Sequence, residues 1–236
     1  MEWAGEATVI ARRKHGENAV ILTALTRERG LISGIVPGGA STKRAAMLQP
    51  GNRVAIRWRA RLEDQLGHIT AEPARARPGL MADATALAGL NAIAALIPWA
   101  QPERDPHPRL TDATEAMLDT IDTGGDWDHS YLRWELLLLD DLGFGLSLDR
   151  CAVSGARDGL AYVSPKTGHA VTAEAAGDWA PRLIALPAPF GGPGGGLPEA
   201  LALTGHFLDR LAETHIGKPV PQARARLVQR LTRSSA

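Results

Sequence analysis

Residues Arg53-Val54-Ala55-Ile56-Arg57-Trp58-Arg59-Ala60-Arg61-Leu62 alternate apolar and basic side chains, with small Ala55 the one exception on the basic side. Successive side chains of a β-strand point to opposite faces. A strand therefore collects Val54, Ile56, Trp58, Ala60 and Leu62 on one face and Arg53, Arg57, Arg59 and Arg61 on the other. A helix would scatter the same arginines around its axis. The stretch predicts a strand with one buried side and one ladder of positive charge, and the run itself contains no acidic residue to neutralise that ladder. Such a face fits a polyanion.

The chain totals conceal this. Its 236 residues hold 26 Lys/Arg and 26 Asp/Glu, a formal charge of zero. Residues 1–80 alone hold 13 basic and 7 acidic residues, while residues 81–236 hold 13 and 19. Such an asymmetry assigns an anionic partner to the first part and another task to the second. A single cysteine, Cys151, excludes an internal disulfide framework and fits a reducing compartment. Met1 to Glu6 lacks a basic segment followed by an apolar one, so no signal peptide is expected. The apolar stretch Leu87 to Ala100 is too short to span a bilayer and is broken by Asn91 and Pro98. A cytoplasmic, nucleoid-associated protein with no membrane partner is the expectation.

Working outward from the arginine strand, residues 5–76 read as five short strands: Ala7–Arg13, Asn18–Leu25, Gly30–Val36, the arginine strand, and Leu66–Ala71. Their spacing of roughly ten residues predicts a small closed barrel. Gly38-Gly39-Ala40-Ser41-Thr42-Lys43-Arg44, between the third and fourth, is a turn leading into a short helix. Beyond Pro73 and Pro78 the composition shifts to alanine and leucine. Helical spacing marks residues 82–99, 109–122, 127–142, 197–214 and 221–233. In the third, Tyr131, Trp134, Glu135, Leu138 and Leu142 share a face, and Leu136, Leu137 and Leu139 make it apolar nearly all round, as in a central helix. Residues 148–196 are irregular, with a hairpin-like Leu160–Val171. The reading is an α+β chain: an OB-type barrel domain at 1–78, then a helical domain at 79–236 carrying the irregular insertion.

Supporting the arginine ladder are Arg12, Arg13, Lys14, Lys43 and Arg44, in the same small domain, with Arg27 and Arg29 nearby. Phosphate binding needs several cations on one surface, because affinity comes from counterion release. Aromatics that stack bases are scarce, since residues 1–80 contain only Trp3 and Trp58. Backbone-dominated binding with weak sequence preference and a steep salt dependence follows. Arg224 and Arg226, on the last helix, are candidates to extend this DNA surface. Cys151-Ala-Val-Ser154 has the spacing of half a zinc site, but Cys151 with His169 falls two ligands short, so no metal is expected. Phe190-Gly-Gly-Pro-Gly-Gly-Gly196 lacks the Gly-Lys-Ser/Thr ending of a phosphate loop and reads as a linker. The seven histidines show no metalloprotease pairing and no serine sits in a Gly-x-Ser-x-Gly elbow. No catalytic residue and no cofactor are assigned.

Several motifs in order resemble the bacterial RecO family of recombination mediators. They are Val36-Pro-Gly-Gly-Ala-Ser-Thr-Lys-Arg44 followed by Leu48-Gln49-Pro50, then Leu132-Arg-Trp-Glu-Leu-Leu-Leu-Leu-Asp-Asp-Leu-Gly-Phe-Gly145. Leu148-Asp-Arg-Cys-Ala-Val-Ser-Gly155, Tyr162-Val-Ser-Pro-Lys-Thr-Gly168 and Gly217-Lys-Pro219 complete the set. The resemblance implies an OB barrel and a helical domain without enzymatic activity. It implies binding and annealing of single- and double-stranded DNA and, with the partner RecR, help for RecA in replacing single-strand-binding protein. Some members carry a four-cysteine zinc site; the matching positions here are Cys151, Ser154, Thr172 and Ala175, so that site is degenerate. The family also binds the acidic tail of single-strand-binding protein on the helical domain, for which Arg133 is the candidate. Two rival readings remain: an RNA-binding OB protein of translation or ribosome maturation, and a protein-only adaptor using the acidic half.

Overall fold

The computed structural model describes residues 1–62 and 66–234. They form two compact units, Met1–Gly125 and Asp126–Ala236.

The first unit is built on β1 (Glu2–His15), β2 (Ala19–Thr26), β3 (Gly30–Val36), β4 (Arg53–Arg59) and β5 (Gly67–Arg75), with α1 (Thr42–Met47) between β3 and β4. The sheet runs β1-β2-β3-β5-β4 and closes where β4 pairs with β1. Only the β3–β5 seam is parallel. A closed five-stranded barrel in this order is the OB architecture. β1 is long because it serves two neighbours: Glu2 to Thr8 pair with β4, and Thr8 to His15 with β2. A register shift between Val9 and Ala11 turns the strand from one partner to the other.

The alternation in β4 has its expected consequence. Val54, Ile56 and Trp58 are buried, while Ala55, Arg57 and Arg59 are exposed. With Val9, Leu22 and Ile69 the inward residues fill the barrel. Leu48, fully buried just after α1, closes it from the helix side, although α1 itself buries nothing. Full burial of one leucine contributes roughly 1.5–3 kcal/mol, so α1 acts mainly by delivering Leu48. Two expectations need correcting. The strand ends at Arg59 and bends at Arg61 and Leu62, leaving Leu62 exposed rather than in the core. The first strand begins at Glu2, five residues before Ala7, because the chain there is held by β4.

Helices α2 (Ala84–Ala100) and α3 (Pro108–Asp122) belong to the same compact unit. Asp83 caps α2 by accepting from the backbone N–H groups of Thr85 and Ala86. Arg77, at the end of the barrel segment, has a side chain 0% exposed. Its guanidinium donates to Glu115 at 2.6 Å, to Asp119 at 2.7 Å and to the Gly51 carbonyl at 2.7 Å. Composition changes near residue 78, and the packing boundary follows Gly125, because α3 supplies the carboxylates that Arg77 requires.

The second unit contains α4 (Asp128–Asp141), β6 (Leu160–Val163), β7 (Ala170–Thr172), α5 (Ala173–Ala176), β8 (Ile184–Ala185), α6 (Leu197–Leu211) and α7 (Gln222–Ser234). Tyr131, Trp134, Glu135 and Leu138 of α4 are buried, as their shared face requires, and α4 packs on α6. The hairpin-like segment forms β6 and β7, joined by β8 in a three-stranded sheet. No helix among the described residues is long and apolar enough to cross a membrane.

Candidate nucleic-acid interface

On the barrel surface Arg57 and Arg59 stand side by side on the outward face of β4, with side chains 58% and 61% exposed. The register sets acidic residues of β1 opposite them: Glu2 pairs with Arg59, and Glu6 with Ala55. The Glu2 carboxylate lies 3.0 Å from Arg59 and 3.6 Å from Arg57, and Glu6 lies 2.5 Å from Arg53. The hydrogen bond from Arg59 holds Glu2 below its ordinary carboxylate range. The ladder thus has acidic partners, contrary to what its own run showed; they come from the neighbouring strand. Exposed pairs of this kind are weak and exchange readily with other anions. A phosphate can compete for Arg57 and Arg59 where it cannot for a buried arginine.

Helix α3 takes up a second set of barrel cations. Arg27 pairs with Asp112 at 2.9 Å, Arg75 with Asp119 at 2.9 Å, and Arg53 lies 4.0 Å from Glu115. The positive surplus of residues 1–80 is partly spent within the unit.

The other predicted cations gather at a different place. Arg12, Arg13 and Lys14 lie where β1 meets the start of β2. The turn after β3 is tied there by the Ala40 N–H, which donates to Asn18 O at 3.1 Å. Lys43 and Arg44 follow this turn, and Arg44 donates to the Pro37 carbonyl. Arg12, Arg13, Lys14 and Lys43 carry no ion pair among the described residues. The barrel therefore has two exposed basic clusters at opposite ends of β1. Arg12–Lys14 with Lys43–Arg44 forms one, and Arg57 with Arg59 the other. Arg61 is exposed beyond the strand end, beside the residues outside the described set.

Three residues of the second unit complete the set. Arg226 is exposed on α7 and Arg133 on α4. Trp134, next to Arg133 in sequence, points into the core and stacks on Tyr131, ring centroids 5.8 Å apart. Arg224 requires correction. It lies inside the unit, 11% exposed, against Glu135, which is 0% exposed. Nε donates to Oε1 at 2.7 Å and Nη2 to Oε2 at 2.9 Å, and Nη2 also reaches the Leu201 carbonyl. Thr204 Oγ1 donates to Glu135 Oε2 at 2.6 Å. Burial opposes the charge on Arg224, but Glu135 outweighs it and raises the guanidinium pKa further. Arg224 is a structural strut joining α7 to α4 and α6, with no face left for phosphate.

The four positions of the degenerate zinc site do come together. Cys151 Sγ accepts from the Ser154 and Thr172 backbone N–H groups, each at 3.4 Å, and lies 3.8 Å from Thr172 Oγ1. Thr172 Oγ1 in turn accepts from Ala175 N–H and starts α5. One thiol, two hydroxyls and an alanine do not provide the four soft or imidazole donors of structural zinc. The chemistry does not fit the metal. Cys151, Val171 and Ala176 form a small buried cluster instead, with Leu160, Tyr162 and Leu183 packed on it. Burial pushes the Cys151 thiol up, but the hydrogen bonds from Ser154, Thr172 and Val153 together outweigh it and bring the thiol down to about 6.

A closed OB-order barrel bearing exposed cations and followed by a helical segment is what the motifs implied, and comparison with known proteins decides the family. The profile described as recombination protein O N terminal matches residues 1–77, and that described as recombination protein O C terminal matches residues 81–224. The chain belongs to the RecO family. It is 69% identical over 236 residues to the DNA repair protein RecO of Paracoccus denitrificans (strain Pd 1222), covering 99% of this chain and 98% of that protein. It is 48% identical over 239 residues to the DNA repair protein RecO of Cereibacter sphaeroides, with 99% and 100% covered. The RecO of Roseobacter denitrificans is similar at 48% identity, with 99% of each chain covered.

The RecO barrel also has a feature that sequence reasoning missed. Trp3 and Trp58 are direct partners in the β1–β4 register and so lie at one end of the barrel. The signal was present in the pattern Glu2-Trp3-Ala4-Gly5-Glu6-Ala7, which alternates in step with β4.

Proposed function

We propose that this RecO-family chain is a non-enzymatic DNA-binding mediator of recombinational repair. It holds single- and double-stranded DNA by the phosphate backbone and promotes strand annealing. With RecR, and through the tail of single-strand-binding protein, it helps RecA occupy coated strands. The observation that carries the reading is the pair of exposed arginines, Arg57 and Arg59, on an OB barrel within this family. Their surface pairing with Glu2 is weak enough for a phosphate to displace. Arg12, Arg13, Lys14, Lys43, Arg44 and Arg61 add cations that the same strand can follow around the barrel, and Arg226 adds one on the second unit.

Arg133 is the proposed contact for the acidic tail, since it is exposed on α4. Annealing of complementary strands coated with the cognate single-strand-binding protein tests the partner half. Annealing is expected to fall when the tail is deleted from that protein and when Arg133→Ala is introduced. Tail-independent annealing would remove the partner from the account. The RNA-binding alternative predicts that an RNA strand competes better than DNA of equal length, because 2′-hydroxyl contacts separate the two.

A further inference from the structure

The end of the barrel that carries Arg57 and Arg59 holds a cavity of about 200 Å³, lined by Glu2, Trp3, Glu28, Arg29, Trp58 and Arg104 among others. Two glycines make it possible. A Cβ at Gly5 would collide with the Trp3 ring, and one at Gly67 with the Trp58 ring, so each indole lies flat against a strand. The Trp3 N–H donates to Glu28 and the Trp58 N–H to the Ser33 carbonyl, fixing both rings. The segment after α2 forms the lid. Arg104 donates its backbone N–H to Leu31 O at 2.8 Å and sets its guanidinium carbon 5.5 Å from the Trp58 ring centroid. Its φ of 66° is the one positive value on a residue other than glycine among the described residues. Backbone in that region costs energy for a side chain such as arginine, and the side chain it delivers ends on an indole.

We propose that this cavity receives one unstacked nucleobase of a DNA strand whose phosphates lie on Arg57 and Arg59. The proposal rests on the DNA-binding reading and adds a base contact to it. A planar ring fits beside indole faces and a guanidinium, both of which stack on bases with little regard to sequence. Arg29 and Arg104 offset Glu2 and Glu28 in the lining, and the two carboxylates can accept hydrogen bonds from the exocyclic amino groups of a base. Glu2 also touches Arg59, so the sugar-phosphate of the inserted nucleotide meets the arginine ladder as its base enters.

The test uses the full chain and single strands of equal length and charge, one with a central cytosine tract and one with abasic sugars in its place. Affinities are measured by fluorescence anisotropy at two salt concentrations. The cytosine strand is expected to bind about five-fold tighter or more, the scale of one base–aromatic stack. In Arg104→Gly, which suits a positive φ, and in Trp3→Leu, the gap should narrow. Equal binding of the two strands by the wild type overturns the base pocket while leaving DNA binding in place. Equal loss on both strands in Arg104→Gly makes Arg104 a phosphate contact and overturns it too. No binding to either strand would refute the DNA-binding reading itself.

Discussion

Replacing Arg224 by leucine separates a strut from a DNA contact. The substitution leaves Glu135, 0% exposed, with Thr204 as its remaining side-chain partner. Removing one partner of a buried pair costs about 3–5 kcal/mol, because the other charge stays desolvated. Over a unit of this size that is a fall of roughly 10–20 °C in its thermal midpoint. The double variant Arg224→Leu/Glu135→Leu should recover much of the loss, since an apolar pair can replace a buried ionic one. Circular dichroism melts of the wild type and the two variants read both effects. A midpoint unchanged in Arg224→Leu, together with weakened DNA binding, would refute the strut.

The Arg77 cluster should behave differently because its acids reach water. Arg77→Met leaves Glu115 and Asp119 partly exposed and is expected to cost about 1–3 kcal/mol in urea unfolding. Glu115→Ala/Asp119→Ala strands a fully buried guanidinium and should cost more, about 3–5 kcal/mol; the reverse order would show that Arg77 finds water. For Cys151, an ultraviolet titration of thiolate absorbance should show a midpoint of about 6. With the folded value depressed, its stabilising effect is lost as pH falls toward that value and should vanish in Cys151→Ala. A midpoint in the ordinary thiol range would mean that the hydrogen bonds from Ser154 and Thr172 do not form.

The barrel was legible in β4 because alternation and burial obey the same period of two. The helices were legible because α3 and α6 keep apolar residues at helical spacing. What one strand does to another was not. Glu2 and Glu6 neutralise the arginine ladder only because β1 runs antiparallel beside β4, a register no local pattern contains. Asp112, Glu115 and Asp119 acquire their role only because α3 lies near Arg27, Arg75 and Arg77. Trp3 and Trp58, too few in sequence to make a stacking platform, become a pair by that same register. Arg224 shows the opposite error. A cation near a helix end reads as surface, yet Glu135, already placed on the buried face of α4, needed a partner inside.

The central claim is that the barrel grips the DNA backbone through exposed arginines. Its most direct test is the salt dependence of DNA affinity for the wild type and for Arg57→Ala/Arg59→Ala/Arg61→Ala. Each lost phosphate contact lowers the slope of log K against log salt by about 0.9 on duplex and about 0.7 on single strands. The account predicts a slope shallower by roughly 2–3 for the triple variant, with affinity reduced alike across sequences. An unchanged slope and wild-type affinity would show that these arginines serve only Glu2 and solvent.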